Sequence, residues 1–139
     1  MKTIVDTCVW SLALRRQDQT KMAPGDLEMI AQLQEAIRDG RVVIIGPIRQ
    51  EILSGIRDRA RFAKTQALLD PFRDEEIAAG DYLEASRLFD LCRDHGVECG
   101  TVDILMCAVA ARLHCDILTY GQGLKRCMEV LRNEGLLRE

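Results

Sequence analysis

At 139 residues the chain can bury one real core but not two, so a single domain over 1–139 is expected. Its 19 basic and 22 acidic side chains give a formal charge of -3, which excludes a nucleic-acid binder that works by overall positive charge and leaves that task to a local patch. No apolar stretch reaches the roughly 20 residues that span a bilayer, and Met1-Lys-Thr-Ile-Val-Asp6 turns polar too soon for a signal peptide, so a soluble cytoplasmic protein with no membrane contact is expected.

The first element is a short apolar strand over residues 2–5, closed by Asp6. Pro24 near a start and Gly40 past an end frame a helix with apolar residues at 27, 30, 33 and 37. Val42-Val-Ile-Ile45 reads as a second strand, closed by Gly46-Pro47. The segment after it carries Glu51 about one helical turn past Pro47, at the edge of a stripe formed by Ile48, Ile52 and Ile56. Asp81 with Glu84 resembles a capping box that opens a helix over 82–95, terminated by Gly96. The next helix, over 103–114, carries one charge after Asp103 and is apolar all round, the mark of a helix packed on two sides. Ile117-Leu-Thr-Tyr120 is the third strand. Strands buried on both faces and alternating with helices predict a three-layer α/β/α sandwich around a short parallel sheet.

In such sheets ligands bind beyond the carboxyl ends of the strands, where strand order reverses. Asp6 ends the first strand, Glu51 follows the second, and Asp103 opens the helix leading into the third; a short approach over 97–102 would bring that helix start to the same edge. Taken singly, each acid has a plain structural reading: a turn bond for Asp6, an exposed helix position for Glu51, the helix dipole for Asp103. The dipole contributes roughly 0.3 to 1 kcal/mol, less than the several kcal/mol that crowding three carboxylates costs without a cation. Together they predict an oxygen-only site for Mg²⁺ or Mn²⁺ and metal-assisted hydrolysis of a phosphodiester.

Three segments, Val5-Asp6-Thr7-Cys-Val-Trp10, Glu51-Ile-Leu-Ser-Gly55 and Gly100-Thr-Val-Asp103-Ile-Leu-Met-Cys-Ala-Val-Ala110, precede Asp116-Ile-Leu-Thr119 in the chain. This ordered set resembles the PIN domain, and within it the VapC-type ribonuclease toxins of bacterial toxin–antitoxin pairs, over nearly the whole chain. The resemblance implies a PIN-like fold, Asp6, Glu51 and Asp103 as metal ligands and catalytic residues, Thr7 as a supporting residue, and RNA as substrate. It further implies a VapB-type antitoxin that blocks the site, and a homodimer. The helices around 27–37 and 83–91 offer apolar surface for either partner.

The chain departs from that pattern after its last strand, where the family usually writes acids and this chain has Gly121-Gln-Gly123. Three carboxylates still hold one ion, while a second ion loses a ligand. Glu98 is the nearest substitute in sequence; Asp116 begins the strand and belongs at its other end. The alternative function is therefore a catalytically impaired PIN-like protein that acts through antitoxin or RNA binding. A phosphoryl-transfer enzyme with Asp6 as nucleophile ranks last, because Cys8 stands where its second Asp would fall.

Arg57, Arg59, Arg61 and Lys64, with Arg49 and joined by Arg15, Arg16 and Lys21, are candidate phosphate contacts, set against an ordinary solvated face. Trp10 is expected to pack rather than to stack on bases, and His95 and His114 to cap helix ends. The six cysteines show no metal-binding spacing and are expected as reduced thiols, most of them in the core. Phosphate-binding glycine loops and serine-nucleophile turns are absent from the sequence.

Overall fold

The computed structural model describes residues 1–14 and 22–138; Arg15, Arg16 and Lys21 lie outside them. The elements run β1 (Thr3–Val5), α1 (Thr7–Leu14), α2 (Pro24–Arg38), β2 (Val42–Ile45), α3 (Gly46–Leu53), α4 (Arg59–Leu69), β3 (Arg73–Glu75), α5 (Ala79–Asp94), α6 (Thr101–Leu113), β4 (Asp116–Leu118) and α7 (Gln122–Asn133). The strands form one sheet in the order β3-β2-β1-β4, and every pairing is parallel. Each residue of β1 and β2 is buried, so both faces of the central strands are covered, as expected for an α/β sandwich. On the helical layers α1 packs on α2 and α3, while α5, α6 and α7 pack on one another.

The topology fixes where a site can form. The chain steps outward from β1 to β2 and β3, then returns to add β4 on the opposite side of β1. Strand order reverses between β1 and β4, so the crevice opens at their carboxyl ends. The register Val5↔Leu118 and the bond from Asp6 N–H to Leu118 C=O at 2.9 Å bring the two strand ends level. The loop after each strand therefore meets the other.

The structure corrects several expectations. β3 went unanticipated because Arg73-Asp-Glu75 is polar and mostly exposed; it is an edge strand, where charge discourages pairing with other chains. Arg49 leaves the basic patch to anchor that edge, its guanidinium donating to Asp74 Oδ1 at 2.8 Å and to Phe72 C=O at 3.3 Å. Leu27 and Ile37 on α2 are exposed, and Ile30, Leu33 and Ala36 carry the burial. α5 starts at Ala79, and its Asp81 accepts the Ala78 N–H at 2.8 Å, while Glu84 pairs with Arg87 instead. α6 starts at Thr101, which makes Asp103 its third residue.

Two cysteines depart from the expectation of reduced thiols: Cys99 and Cys127 form a disulfide between the approach to α6 and α7, while Cys92, Cys107 and Cys115 are buried free thiols and Cys8 is a part-buried one. A spacing of 28 residues carries no motif, and only the packing of α7 against α6 brings the two sulfurs together. Trp10 packs as expected, edge-on to Phe72 with ring centroids 5.0 Å apart. The histidines cap their helices: His95 Nδ1 lies 2.9 Å from Leu91 C=O, and His114 ends α6 in the left-handed region at φ 54°.

Candidate functional site

Asp6 directly follows β1 and is buried despite its charge, so its oxygens need partners. Thr7 N–H donates to Oδ1 at 2.7 Å, and the Thr119 hydroxyl donates to Oδ2 at 2.7 Å. Thr119 in turn accepts the Gly121 N–H at 3.0 Å, which leaves its own proton free for Asp6. The Cys8 thiol completes the cluster 3.3 Å from Asp6 Oδ2. Residues after both strands of the crevice thus hold one carboxylate in one orientation.

Glu51 sits on α3, whose Ile48 and Ile52 are buried and turn the intervening acid outward. The Thr7 hydroxyl donates to its Oε1 at 2.7 Å, so Thr7 touches Asp6 through its backbone and Glu51 through its side chain. Asp103 arrives from the other side, because α6 leads into β4 and so begins at the carboxyl edge of the sheet. Its carboxylate folds back over Gly100, where an added Cβ would meet Oδ2 at 3.4 Å. Burial raises the Asp103 carboxyl above its ordinary range, and the negative fields of Asp6 and Glu51 raise it further. Three acids from three elements therefore share one electrostatic neighbourhood. Thr7, Pro47, Gln50, Glu51, Ser54 and Val102 line an open cleft beside them.

The sequence-profile comparison decides the family: the PIN domain profile matches residues 3–129. The chain belongs to the PIN domain family. PIN domains are generally nucleases that use divalent metal ions, which makes a nuclease role the coarse assignment for this one. Among solved structures the chain is similar to the crystal structure of FitAcB from Neisseria gonorrhoeae, at 19% identity over 90% of this chain and 91% of that one, with a TM-score of 0.64. At that identity the likeness is one of fold. No curated protein matches this chain.

The PIN chain's donor set suits a hard cation, since the converging groups are carboxylates and hydroxyls. Burial is the main cause of the raised Asp103 carboxyl, and a bound cation would relieve the part that the fields of Asp6 and Glu51 add. Of the residues expected from sequence, hydrogen bonds link Asp6, Thr7 and Glu51, and Asp103 lies within the electrostatic reach of the two acids; sequence patterning gave no role to Thr119 or Cys8. Thr119 had a legible signal, a hydroxyl directly after the strand that flanks β1; Cys8 had none beyond its nearness to Asp6.

The remaining candidates lie elsewhere. Asp116 begins β4, level with Thr3 at the far end of the sheet, as expected, and faces Arg138 at 3.6 Å. Glu98 is exposed, with nothing linking it to the three acids. Arg57, Arg59, Arg61 and Lys64 are exposed before and along α4. Arg61 and Lys64 line a cleft with Leu14, Asp58, Thr65 and Leu68. Gly121 lies against Asp6: an added Cβ would be 3.5 Å from Thr119 Oγ1 and 3.8 Å from Asp6 Oδ2. A Cβ at Gly123 would meet no atom within 4 Å. No helix among the described residues is long and apolar enough to cross a membrane.

Proposed function

We propose that this chain is a divalent-metal-dependent endoribonuclease toxin of a bacterial toxin–antitoxin pair, with Asp6, Glu51 and Asp103 holding Mg²⁺ or Mn²⁺. The observation that carries the reading is the convergence of three carboxylates where strand order reverses, in a chain of the PIN domain family. The resemblance of its motifs to VapC-type toxins supports RNA as substrate and a VapB-type antitoxin as partner. When bound, the ion would orient the phosphodiester, activate a water and offset charge on the leaving oxygen. The chain's own part is positioning. Thr119 and the Thr7 amide fix Asp6, the Thr7 hydroxyl fixes Glu51, and the first turn of α6 presents Asp103. Arg57, Arg59, Arg61 and Lys64 would contact phosphates along the RNA strand. Tyr82 and Leu83 are exposed on α5, and Tyr82 lines a cleft with Phe89, Ile104 and Leu105, an apolar face suited to the antitoxin or to a homodimer partner.

One observation favours a second reading, a catalytically impaired member that acts by binding antitoxin or RNA. Gly121 stands beside Asp6 where a side chain has room, and no carboxylate fills that position. Titrating Mn²⁺ into the wild type, Asp6→Asn and Gly121→Asp, with cleavage of a structured RNA measured in parallel, separates the two. On the toxin reading the wild type cleaves, and Asp6→Asn loses at least about 100-fold in cleavage, a loss typical of removing a central electrostatic group. Cleavage confined to Gly121→Asp would establish the impaired reading instead.

A further inference from the structure

Outside the acidic cleft the strongest chemical feature is a group of three sulfurs. Cys92 near the end of α5, Cys99 before α6 and Cys127 on α7 place their Sγ atoms within 4.8 Å of one another. Cys99 and Cys127 are bonded, with Cα atoms 6.3 Å apart. Cys92 is a free thiol with no exposure, and it points at the helix bearing Cys127, 3.9 Å from the Cys127 carbonyl. A buried thiol alone is a small apolar residue. A thiol held within reach of both sulfurs of a disulfide is a nucleophile placed against its electrophile.

The bond lies between the two segments that shape the acidic site. Cys99 immediately precedes Gly100, the N-cap of α6, and Asp103 follows in that helix's first turn. Cys127 is on α7, which begins directly after Gly121, the residue whose N–H holds Thr119 against Asp6. A covalent tie from 99 to 127 therefore restrains the start of α6 relative to the Asp6 cluster.

We propose that Cys92, Cys99 and Cys127 form a thiol–disulfide exchange site that, by changing which pair is bonded, fixes or frees the helix start carrying Asp103. In the exchange the Cys92 thiol gives up its proton and its sulfur bonds to Cys127 Sγ. The Cys99–Cys127 bond breaks, and Cys99 leaves as a thiolate that takes up a proton, so no net oxidation occurs. The crosslink then joins α5 to α7 and releases the approach to α6. Complete opening takes two electrons and two protons from an external dithiol, which is itself oxidised to a disulfide. Cys99, at 8% exposure against 0% for the other two, is the sulfur such a reagent meets. Burial raises the Cys92 thiol above its ordinary range, which keeps it protonated and makes exchange slow rather than spontaneous. The consequence for a bound ion rests on the metal-site reading; the exchange and the freeing of the helix start do not.

The test uses the full chain equilibrated in glutathione redox buffers, quenched with acid, digested and mapped by non-reducing mass spectrometry. The wild type should yield the Cys99–Cys127 peptide with a minor Cys92–Cys127 species, and Cys99→Ser should yield Cys92–Cys127 as its main linkage. Should Cys99→Ser fail to fold, the minor species in the wild type decides the matter. Absence of any Cys92 linkage in the wild type and in a folded Cys99→Ser overturns the exchange. Reduction should lower Tm by about 10 °C, as expected for opening a loop of this size in a domain of this length. Amide hydrogen exchange over residues 100–104 should quicken at least about tenfold on reduction, the response of a helix start released to open locally. Unchanged protection there overturns the control of the Asp103 segment, whatever the protein does with metal or RNA.

Discussion

Thr119 shows how one hydroxyl organises the acidic cluster. It accepts from Gly121 N–H and donates to Asp6 Oδ2, and both bonds lie at the end of β4 in the crevice. Thr119→Val keeps the shape and removes both bonds, leaving a buried carboxylate with one donor fewer and an amide without its acceptor. The expected result is a loss of about 1 to 3 kcal/mol of stability and about tenfold weaker Mn²⁺ binding, the scale seen when a ligand loses its orienting partner. Thr119→Ser should retain most of both; thermal denaturation and calorimetric titration check the pair of variants. The three acids were legible in the sequence because Asp6 directly follows a strand, Glu51 lies on the helix after a strand, and Asp103 lies in the first turn of the helix that leads into one. Thr119 left only a partial signal, a hydroxyl directly after a strand; its partner was hidden, since sheet register places residue 119 beside residue 6 across a parallel pair that the sequence does not number.

At the scale of elements, the contact between α5 and α6 is organised by an ion pair between buried Asp81 and exposed Arg112. Asp81 accepts from Arg112 Nε at 2.8 Å and Nη2 at 2.9 Å, and from Ala78 N–H at 2.8 Å, so one carboxylate begins α5 and ties it to the end of α6. Arg112 also donates to Glu76 C=O at 2.9 Å, which fastens the loop before α5. The Arg112 hydrogen bonds hold the Asp81 carboxyl below its usual range, against the opposing effect of burial. A carboxyl lowered on folding contributes stability that is present above its unfolded value, near pH 4, and lost as pH falls through the folded value. Asp81→Asn should therefore cost about 1 to 3 kcal/mol near neutrality, with the gap to wild type closing below about pH 4. Denaturant unfolding at several pH values measures this, and a gap that widens in acid would contradict it. The helix ends here were legible from Gly40, Gly96 and the capping acid; the partner of Asp81 was not, because 31 residues separate it from Arg112 and nothing local signals the pairing. β3 was hidden for a different reason: an edge strand needs no apolar alternation to be stable when its neighbour is wholly buried.

For the whole molecule the governing quantity is charge. On the proposed function, a formal charge of -3 would repel RNA at long range, and the acidic cleft would add repulsion at the phosphodiester bound there. Productive binding therefore requires the exposed cations before and along α4 to offset that repulsion at short range, where salt screens them over about 8 to 10 Å. Arg49, paired with Asp74, contributes little to such a surface, whereas Arg61 and Lys64 line a cleft and are exposed. Each phosphate contact releases counterions, so log Kd for a single-stranded RNA should vary with log salt by about 0.7 per contact. Arg61→Ala and Lys64→Ala should each reduce that slope by about 0.7 and weaken binding similarly across RNA sequences. Arg49→Ala should leave the slope unchanged while lowering Tm. Fluorescence anisotropy across a salt series, run on Asp6→Asn to prevent cleavage, separates these outcomes. A slope unaffected by either α4 variant would place the RNA on a different face and return the α4 cations to an ordinary solvated surface or to the antitoxin.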